Sequence, residues 1–135
     1  KVLISSKDHR GLIIDAIIVR NYDLKAEPEK YGKFLKCIYE AVDFIKAEPG
    51  KFAEMASGHF GLTPAEVTGI VNGSLSYTTL AESRQYMGTP DSQGTLYGIF
   101  DTVMGLNLDN GAADNKLVAA EQIDSSIIAG LKAGE

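Results

Sequence analysis

Apolar positions along the chain follow two different rhythms. The first twenty residues hold two β-branched runs, Val2 to Ser6 and Leu12 to Arg20, separated by the polar connection "SKDHRG". Near-continuous branched apolar character over this length predicts two strands, the second buried on both faces. From Pro28 onward the spacing changes to three and four. Tyr31, Phe34, Leu35, Ile38, Tyr39, Val42 and Ile45 predict one helical stripe, with Lys33, Lys36, Glu40 and Lys46 opposite.

Punctuation residues divide the remainder. Pro49 restarts the chain as a helix through Phe52 and Met55 that closes near Gly58 or Gly61. Thr63-Pro-Ala-Glu66 and Thr79-Leu-Ala-Glu82 each place a hydroxyl three residues before a glutamate, the arrangement that satisfies free amides at a helix start. "NGSLSYTT" reads as an extended connector and Gly88 to Gly94 as a loop. An apolar helix follows around Leu96, Ile99, Phe100, Val103 and Leu106. Asn110-Gly111 marks a turn, and Asp124 suits the cap of a short last helix from Ser125 to Leu131.

This gives an α/β inventory weighted to helix, about two or three strands with about five or six helices. Residues 1–20 form the strand-loop-strand part and residues 21–135 the helical part. A strand enclosed on both faces needs neighbours that such an inventory lacks. The expectation is therefore a piece of a longer protein, with missing strands supplied by absent polypeptide or by a second copy. A homodimer of the isolated chain follows from the second alternative.

Composition narrows the function classes. The chain has 135 residues, 44% hydrophobic and 23% charged, within the size of one domain. Its formal net charge is -5 and its basic residues are scattered, which argues against nucleic acid as a partner. One cysteine, Cys37, excludes an internal disulfide and a cysteine-rich zinc site. The apolar runs fall short of the ~20 residues that span a bilayer.

In order, "VLISSKDHRGLIIDAIIVR", "AEPEKYGKFLKCIYEAVDFIKAEPGKFAEM", "LTPAEVTGIVNGSLSYTTLAESRQYM" and "IDSSIIAGL" resemble the C-terminal half of type 2 substrate-binding proteins of bacterial ABC importers. The similarity covers essentially the whole chain and is greatest to the branch that takes taurine, aliphatic sulfonates, nitrate or thiamine-precursor pyrimidines. Arg10 departs from it, standing where the family commonly has proline. The resemblance implies a two-lobed fold, a small anionic or nitrogen- or sulfur-containing solute, an ABC permease as membrane partner, and no cofactor. It implies a periplasmic or other extracytoplasmic location, free or lipid-anchored. It also places Asp15 near the crossing between lobes. Two rivals share the architecture, a ligand-sensing regulatory domain and an enzyme of the thiamine-pyrimidine synthase type.

Candidate site residues are few. Asp15, the one carboxylate in "GLIIDAIIVR", is read either as a ligand or hinge contact or as an acceptor of backbone bonds that fix a loop. Ser5 and Ser6, ending the first strand, would bond an anion's oxygens or close a turn. His9 reads as solvated charge, and His59 as a helix-end residue rather than a metal ligand. Cys37 lies one position off the apolar stripe with no base in sight, so catalysis is not expected. Of Tyr77 and Tyr86, which flank the second capping box, one is a candidate to face a cleft.

Overall fold

The computed structural model describes Gly11, residues 13–89 and residues 91–132. Eight helices and one two-stranded ladder make up the regular structure among these residues. The helices are α1 (Asn21–Ala26), α2 (Pro28–Ala47), α3 (Pro49–Phe60), α4 (Pro64–Gly73), α5 (Leu80–Met87), α6 (Thr95–Asp109), α7 (Ala119–Gln122) and α8 (Ser126–Gly130). The strands β1 (Gly88–Thr89) and β2 (Ser92–Gln93) pair antiparallel, Gly88 opposite Gln93 and Thr89 opposite Ser92. The protein is mostly helical with a small sheet, and that sheet is not where the sequence predicts it.

The run from Leu12 to Arg20 is the main correction. Its described part, residues 13–20, joins no ladder. Ile13, Ile14, Ile17 and Ile18 are 79%, 38%, 54% and 90% exposed, the reverse of a strand buried on both faces. The physical reason is that strand backbone bonds only to another strand, and none lies beside this run among the described residues. The other predicted strand, Val2 to Ser6, lies outside the described residues, as do Ser5 and Ser6 themselves.

The chain divides into two compact units, the boundary falling within α2 between Gly32 and Lys33. One unit is residues 33–79. Its core is formed where α3 packs on α4: Ala53 (1% exposed), Ala56 and Val67, flanked by Phe52, Leu62 and Val71. Pro49 occupies the first turn of α3, where its missing N–H costs nothing. Gly61 ends that helix in the left-handed conformation, φ 65°, and its N–H and that of Leu62 both return to the Ser57 carbonyl. The first capping box is fully formed. Thr63 Oγ1 accepts from the Glu66 N–H at 3.3 Å, while a Glu66 carboxylate oxygen accepts the Thr63 N–H at 2.8 Å and its hydroxyl at 2.7 Å.

The other unit holds the described residues up to Gly32 and from Leu80 onward. Here α5 packs against α6 and α8, and α6 against α7. Leu80, Tyr97, Met104, Ala119 and Ile128 are its buried apolar residues. Helix α6 spans the predicted apolar segment but turns a different face inward. Tyr97 and Met104, two turns apart, are buried, whereas Val103 and Leu106 are 38% and 55% exposed. The stripe predicted on α2 is likewise half open: Val42 is buried, Phe34 and Ile38 are exposed.

The remaining turns follow local chemistry. Asn110-Gly111 forms the predicted turn after α6, with Gly111 at φ 68°. The Ser126 N–H donates to the Asp124 carboxylate at 2.8 Å where α8 begins. The segment read as a loop, Gly88 to Gly94, instead contains the β1–β2 ladder. Gly88 takes φ 69°, and a Cβ there would fall 2.3 Å from the Gly94 nitrogen and the Ser92 carbonyl oxygen. A Cβ at Gly94 would meet the Tyr86 carbonyl oxygen at 2.2 Å, so both positions require glycine. Helices α1 and α7, of six and four residues, are not predicted by the apolar pattern.

Candidate functional site

Two places in the unit that contains α5 bring distant residues together, and both are organised by that helix. The first is a cleft of about 520 Å3. Arg84 and Gln85 of α5 line it, with Gly88, Thr89, Ser92, Gln93 and Gly94 of the hairpin and Ile128 and Ala129 of α8. Its volume lies in the range of small-molecule sites. Its chemistry is dominated by one guanidinium. Arg84 Nε donates to the Ile128 carbonyl at 2.9 Å, and Nη2 donates to the carbonyls of Ala129, at 3.3 Å, and of Leu131.

Those carbonyls lie at and just past the end of α8, where a helix has no N–H donors of its own left to offer its last acceptors. A guanidinium there satisfies orphan acceptors and complements the negative end of the helix. Arg84 is thus a cap in trans, closing α8 from another element. Thr89 Oγ1 is occupied in the same local way, accepting the Ser92 N–H at 3.1 Å. Among the described residues the cleft is lined by no His, Cys, Asp or Glu. No group of three such residues able to hold a metal ion occurs among the described residues.

The second place is where the apolar run begins. The Tyr86 hydroxyl donates to the Gly11 carbonyl at 2.9 Å, a bond between residues 75 apart in sequence. Gly11 is in the left-handed region, φ 91°, with Tyr86 Oη and Ile99 Cδ1 3.1 and 3.8 Å from where a Cβ would stand. Burial pushes the Tyr86 hydroxyl above its ordinary value, so it remains a protonated donor at neutral pH. Tyr77, its partner in the sequence reading, is 36% exposed and lies in the connector before α5.

Asp15 stands exposed in the middle of the run that follows, and it accepts no hydrogen bond from a described residue. Its reading as a carboxylate held by neighbouring backbone therefore finds no donor there. Cys37 is a free, exposed thiol on α2. His59 lies in the last turn of α3, its ring edge-on to Phe60 at 5.1 Å between centroids. Ser5, Ser6 and His9 lie outside the described residues. What sequence reading missed entirely is Arg84, whose partners lie 44 to 47 residues downstream with no local signal.

Comparison of the chain with protein-family models, curated proteins and solved structures finds no match. No helix among the described residues is long and apolar enough to cross a membrane.

Proposed function

We propose that this chain is the C-terminal portion of a solute-binding component of an ABC-type importer, in which residues 13–20 cross between two lobes. One observation carries the reading. Four isoleucines in a β-branched run stand between 38% and 90% exposed, on backbone without a ladder partner among the described residues. Such a run is stable only when strands from outside these residues pair with it and cover its faces. A crossing strand of a two-lobed binding protein has that requirement. The order of the sequence blocks on which the family resemblance rests supports the same reading.

In this reading the protein performs no chemistry. It captures a small anionic or nitrogen- or sulfur-containing solute, of the sulfonate, taurine, nitrate or thiamine-precursor kind, outside the cytoplasmic membrane. Closure of two bodies about a hinge encloses the solute, and the closed form docks on the permease. Asp15, in the middle of the crossing run, is the residue here assigned to the solute or to the hinge.

Native mass spectrometry of the intact protein, purified without denaturation, tests the proposal. A retained sulfonate, nitrate or pyrimidine is the expected result. A protein that carries none and binds neither taurine, nitrate, an alkanesulfonate nor a hydroxymethylpyrimidine in calorimetry overturns it. In the binding protein, Asp15→Ala should weaken solute affinity by about tenfold or more, the worth of a charge-assisted hydrogen bond. Asp8→Ala serves as the control, and Asp15→Asn separates charge from shape.

A further inference from the structure

We propose that the cleft between α5, the β1–β2 hairpin and α8 is a binding site for a small organic oxyanion, whose charged group is held by Arg84. The inference stands on this cleft alone and holds whether or not the chain belongs to an importer. Arg84 caps α8 with part of its donor fork: Nε donates to the Ile128 carbonyl, and Nη2 to those of Ala129 and Leu131. Nη1, the remaining nitrogen, bonds to no described residue. Carbonyl dipoles orient the guanidinium without cancelling its charge. Arg84 is partly buried and makes no ion pair with a described residue, whereas a cation withdrawn from water is ordinarily met by an anion.

The rest of the wall suits the same class of ligand. Gln85, Thr89, Ser92 and Gln93 add neutral hydrogen-bonding residues, and no carboxylate joins them among the described residues that line the cleft. Thr89 Oγ1 accepts the Ser92 N–H, so its own O–H remains to donate to an acceptor. At about 520 Å3 the cleft is larger than an oxyanion group, and Ile128 and Ala129 offer an apolar end for a hydrocarbon part. Its walls are also fixed in advance. A Cβ at Gly94 would fall 2.6 Å from the Gln85 carbonyl oxygen and 2.2 Å from that of Tyr86, so the hairpin lies tight against the end of α5. The Arg84 bonds join α5 to the end of α8 in the same way. A guanidinium already held in one orientation loses little freedom when an anion arrives, which favours binding.

The test titrates the intact protein, labelled with 15N, with inorganic phosphate, methanesulfonate and butyrate, sodium chloride keeping the ionic strength constant. Saturable shifts are expected at the amides of Gly88, Thr89 and residues 92–94 and at Arg84 Nε, with half-saturation at about 1–10 mM. Butyrate should bind more tightly than phosphate, because only it reaches the apolar end. Gln85→Glu combined with Gln93→Glu keeps the shape of both side chains and leaves the α8 cap in place, while setting carboxylates into the wall. That variant should bind each probe at least about tenfold more weakly, since like charges brought together in a site repel. Shifts that grow linearly with anion concentration, a hairpin response with Arg84 Nε unmoved, or undiminished affinity in the folded double variant each overturn the proposal. Phosphate bound as tightly as butyrate overturns the organic part of the assignment.

Discussion

The α3–α4 pair and the run from Ile13 to Arg20 invert the expected relation between apolar content and burial. The pair is built around small residues, and Ala53, Ala56 and Val67 are nevertheless 1%, 9% and 4% exposed. The run carries four isoleucines, the most exposed at 90%. The difference is where backbone bonds are found. In α3 and α4 most amides and carbonyls are met within a few residues, by the helix itself, by the turn at Gly61 and by the Thr63–Glu66 exchange. Helices so completed can bring even small side chains into contact. An extended run must borrow every backbone bond from another strand, so its hydrophobicity has nothing to act on until that strand arrives.

The most forceful way to break this comparison is to supply or deny the missing partner. The chain on its own should self-associate through residues 13–20, since a second copy provides both an edge and an apolar cover. Light scattering over a concentration series should show oligomers. Ile17→Lys with Ile18→Lys should weaken association at least about a hundredfold, given about 1.5–3 kcal/mol for each apolar side chain buried. A soluble monomer at high concentration, with a melt independent of concentration, would mean that the run closes its own core.

Legibility in the sequence followed the same division. Starts and stops set by local chemistry were readable: Pro28 and Pro49 at helix starts, Gly61 at a stop, Thr63 with Glu66 as a cap, Asn110-Gly111 as a turn, Asp124 before α8. Each of these satisfies its backbone within a few residues. The direction a helix faces was not readable in the same way. Leu96, Ile99, Phe100, Val103 and Leu106 make as regular a stripe as Tyr97 and Met104, and the neighbours, not the spacing, decide which is covered. Helix α1 has no buried residue and no side-chain cap bond, so neither signal exists for it. The candidate site was the least legible part. Asp15 stands out because it interrupts an apolar run, but Arg84 and Tyr86 stand out only once their distant carbonyl partners are known.

Arg84 sharpens the comparison as an intermediate case, a helix end whose bonds are supplied from far away. Arg84→Met keeps the unbranched stem and removes the donors to the Ile128, Ala129 and Leu131 carbonyls. The expected cost is about 1.5–3 kcal/mol, the worth of hydrogen bonds to a charged group. Hydrogen exchange should speed up through α8 and remain unchanged in α3 and α4, which make their bonds without it. Equal acceleration in both regions would show that the chain unfolds only as a whole and that α8 is not held by this cap.

The smallest effect tests the best-satisfied local feature. Thr63→Ala should destabilise α4 by about 1 kcal/mol, the usual worth of such a cap. Its ionic half has a pH signature. The Thr63 N–H, and after it the Thr63 hydroxyl, hold the Glu66 carboxyl below the ordinary glutamate range. A group whose pKa is lowered on folding adds stability above its unfolded value, near 4.3, and loses it as the pH falls through the lower folded value. Glu66→Gln retains the shape and one acceptor but cannot ionise. The melting-temperature gap between the parent and Glu66→Gln should therefore be present at pH 7 and shrink as the pH is lowered below the ordinary glutamate value. Thr63→Ala should narrow the same gap at pH 7, because the carboxylate then lacks its hydroxyl partner. A gap that widens on acidification would assign the box to shape alone and remove charge from the account of why α4 starts at Thr63.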